Sequence, residues 1–194
     1  MFSRQRGFTL IEISIVLVII GLLLGGVLKG QEMINEAKIR NIEKDMDGIA
    51  AAVYAYQDRY KALPGDDPGA TRWKAKGGNG DGKITSGSSD DESLAFWNHL
   101  RYAGLLHGDP ESTSAPQHGA GGIFSIQGES GSLLLCAQGL PRKFTEIIDT
   151  HQDDGKLDKG RLRIFKTGET VVFSTPLPTY DTEESTVYTL CKIL

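Results

Sequence analysis

The carboxylate of Glu12 is the group near the N-terminus whose position points most clearly to chemistry. It is the only charged residue in an apolar segment from Phe8 to Leu28. The length of this segment falls in the range of about 17–25 residues that a membrane-spanning helix needs. A charged side chain costs about 2.5–3.5 kcal/mol at the centre of a bilayer and usually has a functional partner. At about 1.5 Å of rise per residue, Glu12 lies about 6 Å beyond Phe8. We therefore expect this carboxylate at the membrane edge, within reach of a lipid headgroup or an amine.

The residues on either side of the apolar segment indicate how the chain is processed. Arg4, Arg6 and Gly7 precede the segment, and residues 29–32 (Lys-Gly-Gln-Glu) follow it. A secretory signal peptide is cut after its apolar region, behind small residues, and residues 29–32 do not fit that pattern. A cut between Gly7 and Phe8 would instead keep the apolar segment on the mature protein.

The sequence GFTLIE from Gly7 to Glu12, with the apolar helix after it, resembles the class III signal of type IV pilins and type II secretion pseudopilins. The resemblance implies that a prepilin peptidase cleaves after Gly7 and methylates the new amine of Phe8. It also implies that Glu12 meets the N-terminal amine of a neighbouring subunit during assembly. The alternative is a membrane-edge glutamate that extends its carboxylate to water.

Charge and composition limit the function classes. The 194 residues include 21 basic and 25 acidic side chains, and phosphate binding needs clustered Lys and Arg, so we expect no nucleic-acid partner.

Basic residues beside a membrane segment stay in the cytoplasm. This predicts a single-pass protein with a cytoplasmic N-terminus and a C-terminal domain outside the cytoplasm. The resemblance implies that the membrane is the bacterial inner membrane and that the domain lies in the periplasm, or in a periplasmic or extracellular filament. The histidines and cysteines form no catalytic motif, so we expect no enzyme.

Cys136 and Cys191 are the only two cysteines in the chain. In an oxidising compartment two such residues commonly pair. We therefore predict a disulfide between them, with two buried free thiols as the alternative.

One long N-terminal helix is the main predicted element. Beyond the membrane segment, apolar residues recur with alternating steps of three and four, which is typical of an amphipathic helix. This seam comprises Ile39, Ile42, Met46, Ile49, Val53, Tyr56 and Tyr60. Residues 63–65 (Leu-Pro-Gly) end the helix. The resemblance implies that the seam packs on the chain's own sheet, although a short dimeric coiled coil has the same spacing.

The rest of the chain predicts an α+β fold, and the resemblance implies a pilin-like architecture with the long helix on a C-terminal antiparallel sheet. Residues 92–105 predict a short helix, and residues 141 to about 150 a helical insert. Short β-branched or apolar segments predict an antiparallel meander. Its strands are residues 122–127, 132–137, 161–165, 170–174 and 186–193. The predicted regions are a cleaved leader (1–7), a transmembrane half-helix (8–28), an amphipathic half-helix (29–61) and a globular domain (62–194).

Two acidic, glycine-containing loops predict candidate calcium sites, because Ca²⁺ takes six to eight carboxylate and carbonyl oxygens. The first loop contains Asn79 and Asp81, but residue 77 is Gly and residue 88 is Ser, which excludes a true EF-hand. The second cluster comprises Asp149, Asp153, Asp154 and Asp158. The alternative for both is solvated turn residues without an ion, so no cofactor is certain.

Two hypotheses from different classes follow. The first is a structural subunit, a pseudopilin or minor pilin, of a type II secretion pseudopilus, type IV pilus or competence pilus. No proline interrupts residues 8–62, whereas many major type IV pilins have one, which favours this assignment. The expected partners are the prepilin peptidase, other subunits bound through the N-terminal helix, an inner-membrane assembly platform and lipid. The second hypothesis is a single-pass periplasmic binding or adhesin-like domain that uses the same signal.

Overall fold

The computed structural model describes residues 9–85, 91–129, 132–168, 171, 175–181 and 185–194, apart from the side chain of Glu129. Its elements are α1 (Leu10–Tyr60), a 3-10 helix (Pro68–Trp73), α2 (Glu92–Tyr102), β1 (Phe124–Glu129), β2 (Ser132–Pro141), α3 (Arg142–Gln152), β3 (Leu162–Lys166) and β4 (Val187–Ile193). The chain forms two compact units, which divide between Lys38 and Ile39. The long N-terminal helix and the antiparallel sheet confirm the predicted α+β class.

The first unit contains the N-terminal part of α1, up to Lys38. Its side chains from Leu10 to Leu28 are all exposed. Among the described residues, α1 is the one helix long and apolar enough to cross a membrane. A helix that is apolar on every side needs lipid or other apolar helices around it. This part of α1 therefore fits the predicted single-pass membrane anchor.

The second unit begins with the rest of α1, whose apolar seam enters the core. The buried seam residues are Ile39, Ile42, Met46, Ile49, Val53 and Tyr56. They share one hydrophobic cluster with Phe96 of α2, Leu135 of β2 and Leu190 of β4, and Tyr60 packs against it partly buried. Burying each large apolar side chain contributes about 1.5–3 kcal/mol. The seam thus packs on the chain's own sheet, as predicted, and not on a second helix of a coiled coil.

The described strands form one antiparallel sheet in the order β1-β2-β4-β3. Strand β4, the last in the chain, lies between β2 and β3 and pairs with both. The predicted meander, in which strands pair in chain order, is therefore wrong. Because β2 and β3 both run antiparallel to β4, they are parallel to each other, and a parallel pair needs a crossover connection. Helix α3 lies in this crossover, which leaves the position between the two strands to β4.

The other predicted elements occur with shifted ends. Helix α2 stops at Tyr102 instead of residue 105, because Gly104 takes a positive φ of 71° and the N–H of Leu105 turns back to the carbonyl of Leu100 at 2.9 Å. This reversal is typical of a glycine-terminated helix. The strand predicted at residues 170–174 lies outside the described residues, except for residue 171.

Candidate functional site

The N-terminal end of α1 is built around Thr9 and Glu12. The backbone N–H and the hydroxyl of Thr9 both donate to Oε2 of Glu12 at 2.8 Å, and the N–H of Glu12 donates to Oγ1 of Thr9 at 3.3 Å. This reciprocal capping box satisfies N–H groups that the first helical turn leaves without partners. An ionised carboxylate has about four acceptor positions, so Glu12 keeps capacity for a further donor.

The role of Thr9 was missed at the sequence level, although a signal for it was present. The pattern Thr9-x-x-Glu12 directly before an apolar run is a capping-box signature, but the prediction for Glu12 concerned only assembly or a membrane-edge glutamate. Gly7 and Phe8, the predicted cleavage and methylation residues, lie outside the described residues. Cleavage at Gly7, methylation of Phe8 and the assembly role of Glu12 stay predictions.

The first predicted calcium loop surrounds a buried carboxylate that the sequence did not single out. Asp66 is 2% exposed and accepts the backbone N–H groups of Gly80 at 2.6 Å, Asp81 at 3.3 Å and Gly82 at 2.7 Å. The positive φ of Gly80 and Gly82 aims these consecutive N–H groups at one point. Burial raises the pKa of Asp66, and the N–H groups of Gly82 and Gly80 oppose that rise. The centre of this loop thus offers hydrogen-bond donors to a carboxylate.

The two predicted ligands in this loop use their side-chain oxygens on nearby backbone. Oδ1 of Asn79 accepts the N–H of Asp81 at 2.8 Å, and Oδ1 of Asp81 accepts the N–H of Lys83 at 2.9 Å. The buried Glu92 accepts the N–H of Asn79 at 3.2 Å and that of Thr85 at 2.9 Å, which ties the loop to the start of α2. A calcium ion at Asn79 and Asp81 stays a prediction, and these contacts give it no further support.

His99 of α2 joins two segments of the same region. Its ring is fully buried, Nδ1 accepts the N–H of Gly65 at 2.8 Å, and Nε2 lies 2.8 Å from the carbonyl oxygen of Lys76. Because Nδ1 accepts, the ring proton is on Nε2 and is donated to Lys76. Burial lowers the pKa of His99. The histidine therefore acts here as a neutral bridge between two backbone segments.

The second predicted cluster lies at the C-terminal end of α3. The buried residues of this helix are Phe144, Thr145, Ile148 and Asp149. Oxygens of Asp149, Asp153 and Asp154 lie within 4.8 Å of one another. Asp158, the fourth predicted ligand, is exposed and does not belong to this group. Burial, followed by the charges of Asp153 and Asp154, raises the pKa of Asp149 to about 6.

The predicted disulfide joins Cys136 and Cys191. The two residues lie directly opposite each other on β2 and β4, and both are fully buried in a small second apolar cluster with Leu134 and Phe165. The bond therefore links the C-terminal strand to its neighbour in the interior of the sheet, and the prediction is confirmed.

Comparison with known protein families gives one match, to the prokaryotic N-terminal methylation motif, over residues 2–28. No curated protein and no solved structure matches the chain. The matched segment contains the predicted cleavage site, the Thr9–Glu12 cap and the exposed apolar start of α1. Proteins with this motif are processed by a prepilin peptidase and assemble as pilin subunits. Residues 2–28 therefore carry the N-terminal methylation motif of prepilin-type, type IV pilin-like proteins.

Proposed function

We propose that the chain is a structural subunit, a pseudopilin or minor pilin, of a membrane-anchored filament of the type IV pilus or type II secretion pseudopilus kind. One observation carries the proposal: the carboxylate of Glu12 occupies the first turn of an exposed apolar helix inside the methylation motif. A lone carboxylate at the end of a lipid-facing helix calls for a cationic partner. In an assembly of identical subunits, every neighbouring helix supplies such a cationic partner.

The partner in this mechanism is the amine that processing creates. The prepilin peptidase cleaves after Gly7 and methylates the amine of Phe8, which becomes a cation at the start of the helix. Thr9 acts as a positioning residue, because its two hydrogen bonds to Oε2 turn the Glu12 carboxylate toward the helix N-terminus. Opposite charges attract far more strongly in lipid than in water. Removing one partner of a buried ion pair costs about 3–5 kcal/mol.

The proposed topology follows from the charge on each side of the apolar segment. Arg4 and Arg6 stay in the cytoplasm, and the second unit lies in the periplasm, where oxidising conditions maintain the bond between Cys136 and Cys191. The partners are the prepilin peptidase, an inner-membrane assembly platform, lipid and other subunits bound through α1.

The experiment compares wild type with Glu12→Gln by cross-linking full-length protein in membranes that contain the assembly system. We expect the variant to be cleaved and inserted normally but to form no cross-linked multimers, because it lacks the anionic partner. Glu32→Gln is the matched control, since Glu32 is an exposed residue of the same helix that pairs with Lys29, outside the methylation motif. It should assemble like wild type.

Two further outcomes complete this test. Glu12→Leu should insert at least as well as wild type, because it removes a polar group from the apolar run, and should also fail to assemble. Wild-type levels of multimers from Glu12→Gln would contradict the filament-subunit proposal.

The second candidate function is a single-pass periplasmic binding or adhesin-like domain. It is favoured by a groove of about 610 Å³ beside α2. This volume falls in the range of about 300–1,000 Å³ that is typical of ligand-binding pockets. Its lining includes Lys74, Leu94, Asn98, Tyr102, Glu111 and Thr113. Normal assembly of Glu12→Gln, together with loss of surface binding after a change in this groove, would favour this candidate.

A further inference from the structure

Asp149 has a carboxylate oxygen that the fold leaves without a partner. The residue is 2% exposed, and among the described residues its Oδ1 is buried without a hydrogen bond. A buried polar atom left unpaired destabilises the folded state, and more so when it is charged. Native proteins usually satisfy such atoms with a protein group, a water or an ion. The oxygen therefore points to a ligand.

Two further carboxylates surround this oxygen. Oxygens of Asp149, Asp153 and Asp154 lie within 4.8 Å of one another, so their like charges repel when all three are ionised. The charge of Arg163 lowers the pKa of Asp149, but burial and the charges of Asp153 and Asp154 outweigh it, so the nearby cations neutralise this group only in part. Nζ of Lys156 approaches Asp154 only to 4.0 Å, and Nη1 of Arg163 donates to the carbonyl oxygens of Gly160 and Leu162.

The backbone around the cluster holds the carboxylates in place. The N–H of Leu162 donates to Oδ2 of Asp153 at 2.7 Å, and the N–H of Lys156 donates to Oδ1 of Asp154 at 3.0 Å. Each carboxylate keeps further acceptor positions. Gly160 makes room for this arrangement, because a Cβ on Gly160 would overlap the carboxylate of Asp153. The negative end of the α3 dipole adds to the attraction for a cation.

We propose that Asp149, Asp153 and Asp154 bind one Ca²⁺ ion at the C-terminal end of α3. All the donors are carboxylate oxygens, which select a hard cation. A site that spans a helix end and a loop suits the flexible coordination of Ca²⁺ better than the strict octahedron of Mg²⁺, and water completes the shell. The ion joins the end of α3 to the start of β3 through Asp153 and so stabilises the crossover that makes room for β4. This inference does not depend on the filament proposal.

The test uses full-length protein in detergent, treated with a chelator and then titrated with CaCl2. We expect the melting temperature to rise with Ca²⁺ and to saturate, because a ligand that binds only the folded state stabilises it by mass action. Calorimetric titration should give a single ion per chain. Asp154→Asn changes an exposed residue and should remove both responses, and Asp158→Asn, the matched control outside the cluster, should keep them.

Asp149→Asn separates loss of the ion from loss of the fold. Because it removes a buried unpaired charge, we expect the calcium-free variant to melt no lower than calcium-free wild type, yet to give no response to Ca²⁺. Gly160→Ala should weaken binding, because its Cβ displaces the Asp153 carboxylate. Three results would overturn the proposal: no binding at millimolar Ca²⁺, a full response in Asp149→Asn or Asp154→Asn, or a lost response in Asp158→Asn. An equal response to Mg²⁺ would overturn the assignment of Ca²⁺.

Discussion

Replacing Cys136 and Cys191 together by Ala should lower the free energy of unfolding of the second unit by about 4 kcal/mol. The disulfide closes a loop with a sequence separation of 55. In the chain-entropy model, a cross-link of this span removes about 14 cal/mol/K from the unfolded chain, or about 4 kcal/mol at 25 °C. The cross-link also holds the C-terminal strand β4 to β2 in the interior of the sheet.

The assay is thermal unfolding of full-length protein in detergent, followed by the fluorescence of the buried Trp97. For a unit of this size each kcal/mol shifts the melting temperature by about 2–4 °C, so the double variant should melt about 8–16 °C lower. Cys136→Ala alone removes the same cross-link and should cost nearly as much as the double change. The two single effects should therefore not add.

Reduced wild-type protein controls for packing, because it loses the cross-link and keeps both sulfur atoms in the core. It should melt close to the double variant. A decrease below about 3 °C in the reduced protein, or single-variant effects that simply add, would refute the view that the cross-link itself stabilises the sheet.

Two further predictions concern the second unit. Met46→Ala should lower the free energy of unfolding, measured in urea, by about 2–5 kcal/mol, because it leaves a cavity in the core. Tyr54→Ala, at a 51% exposed position of the same helix, should change that free energy by no more than about 0.5 kcal/mol. Similar losses in the two variants would contradict the assigned helix face. Burial lowers the pKa of His99 below its ordinary 6.5, so the unfolded chain binds the proton more readily than the folded chain. The contribution of His99 to the free energy of unfolding should therefore be complete above about pH 6.5 and decrease as the pH falls. His118, whose pKa burial also lowers, should contribute with the same sign, so His99→Gln should flatten the melting profile in part, and an unchanged profile would contradict this role.

The elements of the fold were predictable where local periodicity decides them. The alternating spacing from Ile39 to Tyr60 gave the buried face of α1, because each of these side chains lies on one helical stripe. The pairing of strands was not predictable in the same way. Whether β3 pairs with β2 or with β4 depends on how α3 packs, and period-two patterns carry no information on strand order.

The candidate sites show the same division. Asp149 and Asp153 are four residues apart, so a helix would place them on one face. Asp158 follows the end of the helix, and its position depends on the loop. Asp66 gave no signal, because its partners are N–H groups 14 to 16 residues later and every residue except proline carries one. The buried state of Asp149 likewise depends on the sheet beneath α3, which the local sequence does not describe.

The prepilin-type assignment is tested most directly by the intact mass of the protein extracted from membranes that contain a prepilin peptidase. We expect a chain that starts at Phe8 and carries one methyl group on its amine. A Gly7→Ala variant should remain largely uncleaved, because a β-carbon at that position crowds the cut site. A mature wild-type chain that starts at Met1, or near Gln31, would contradict the assignment.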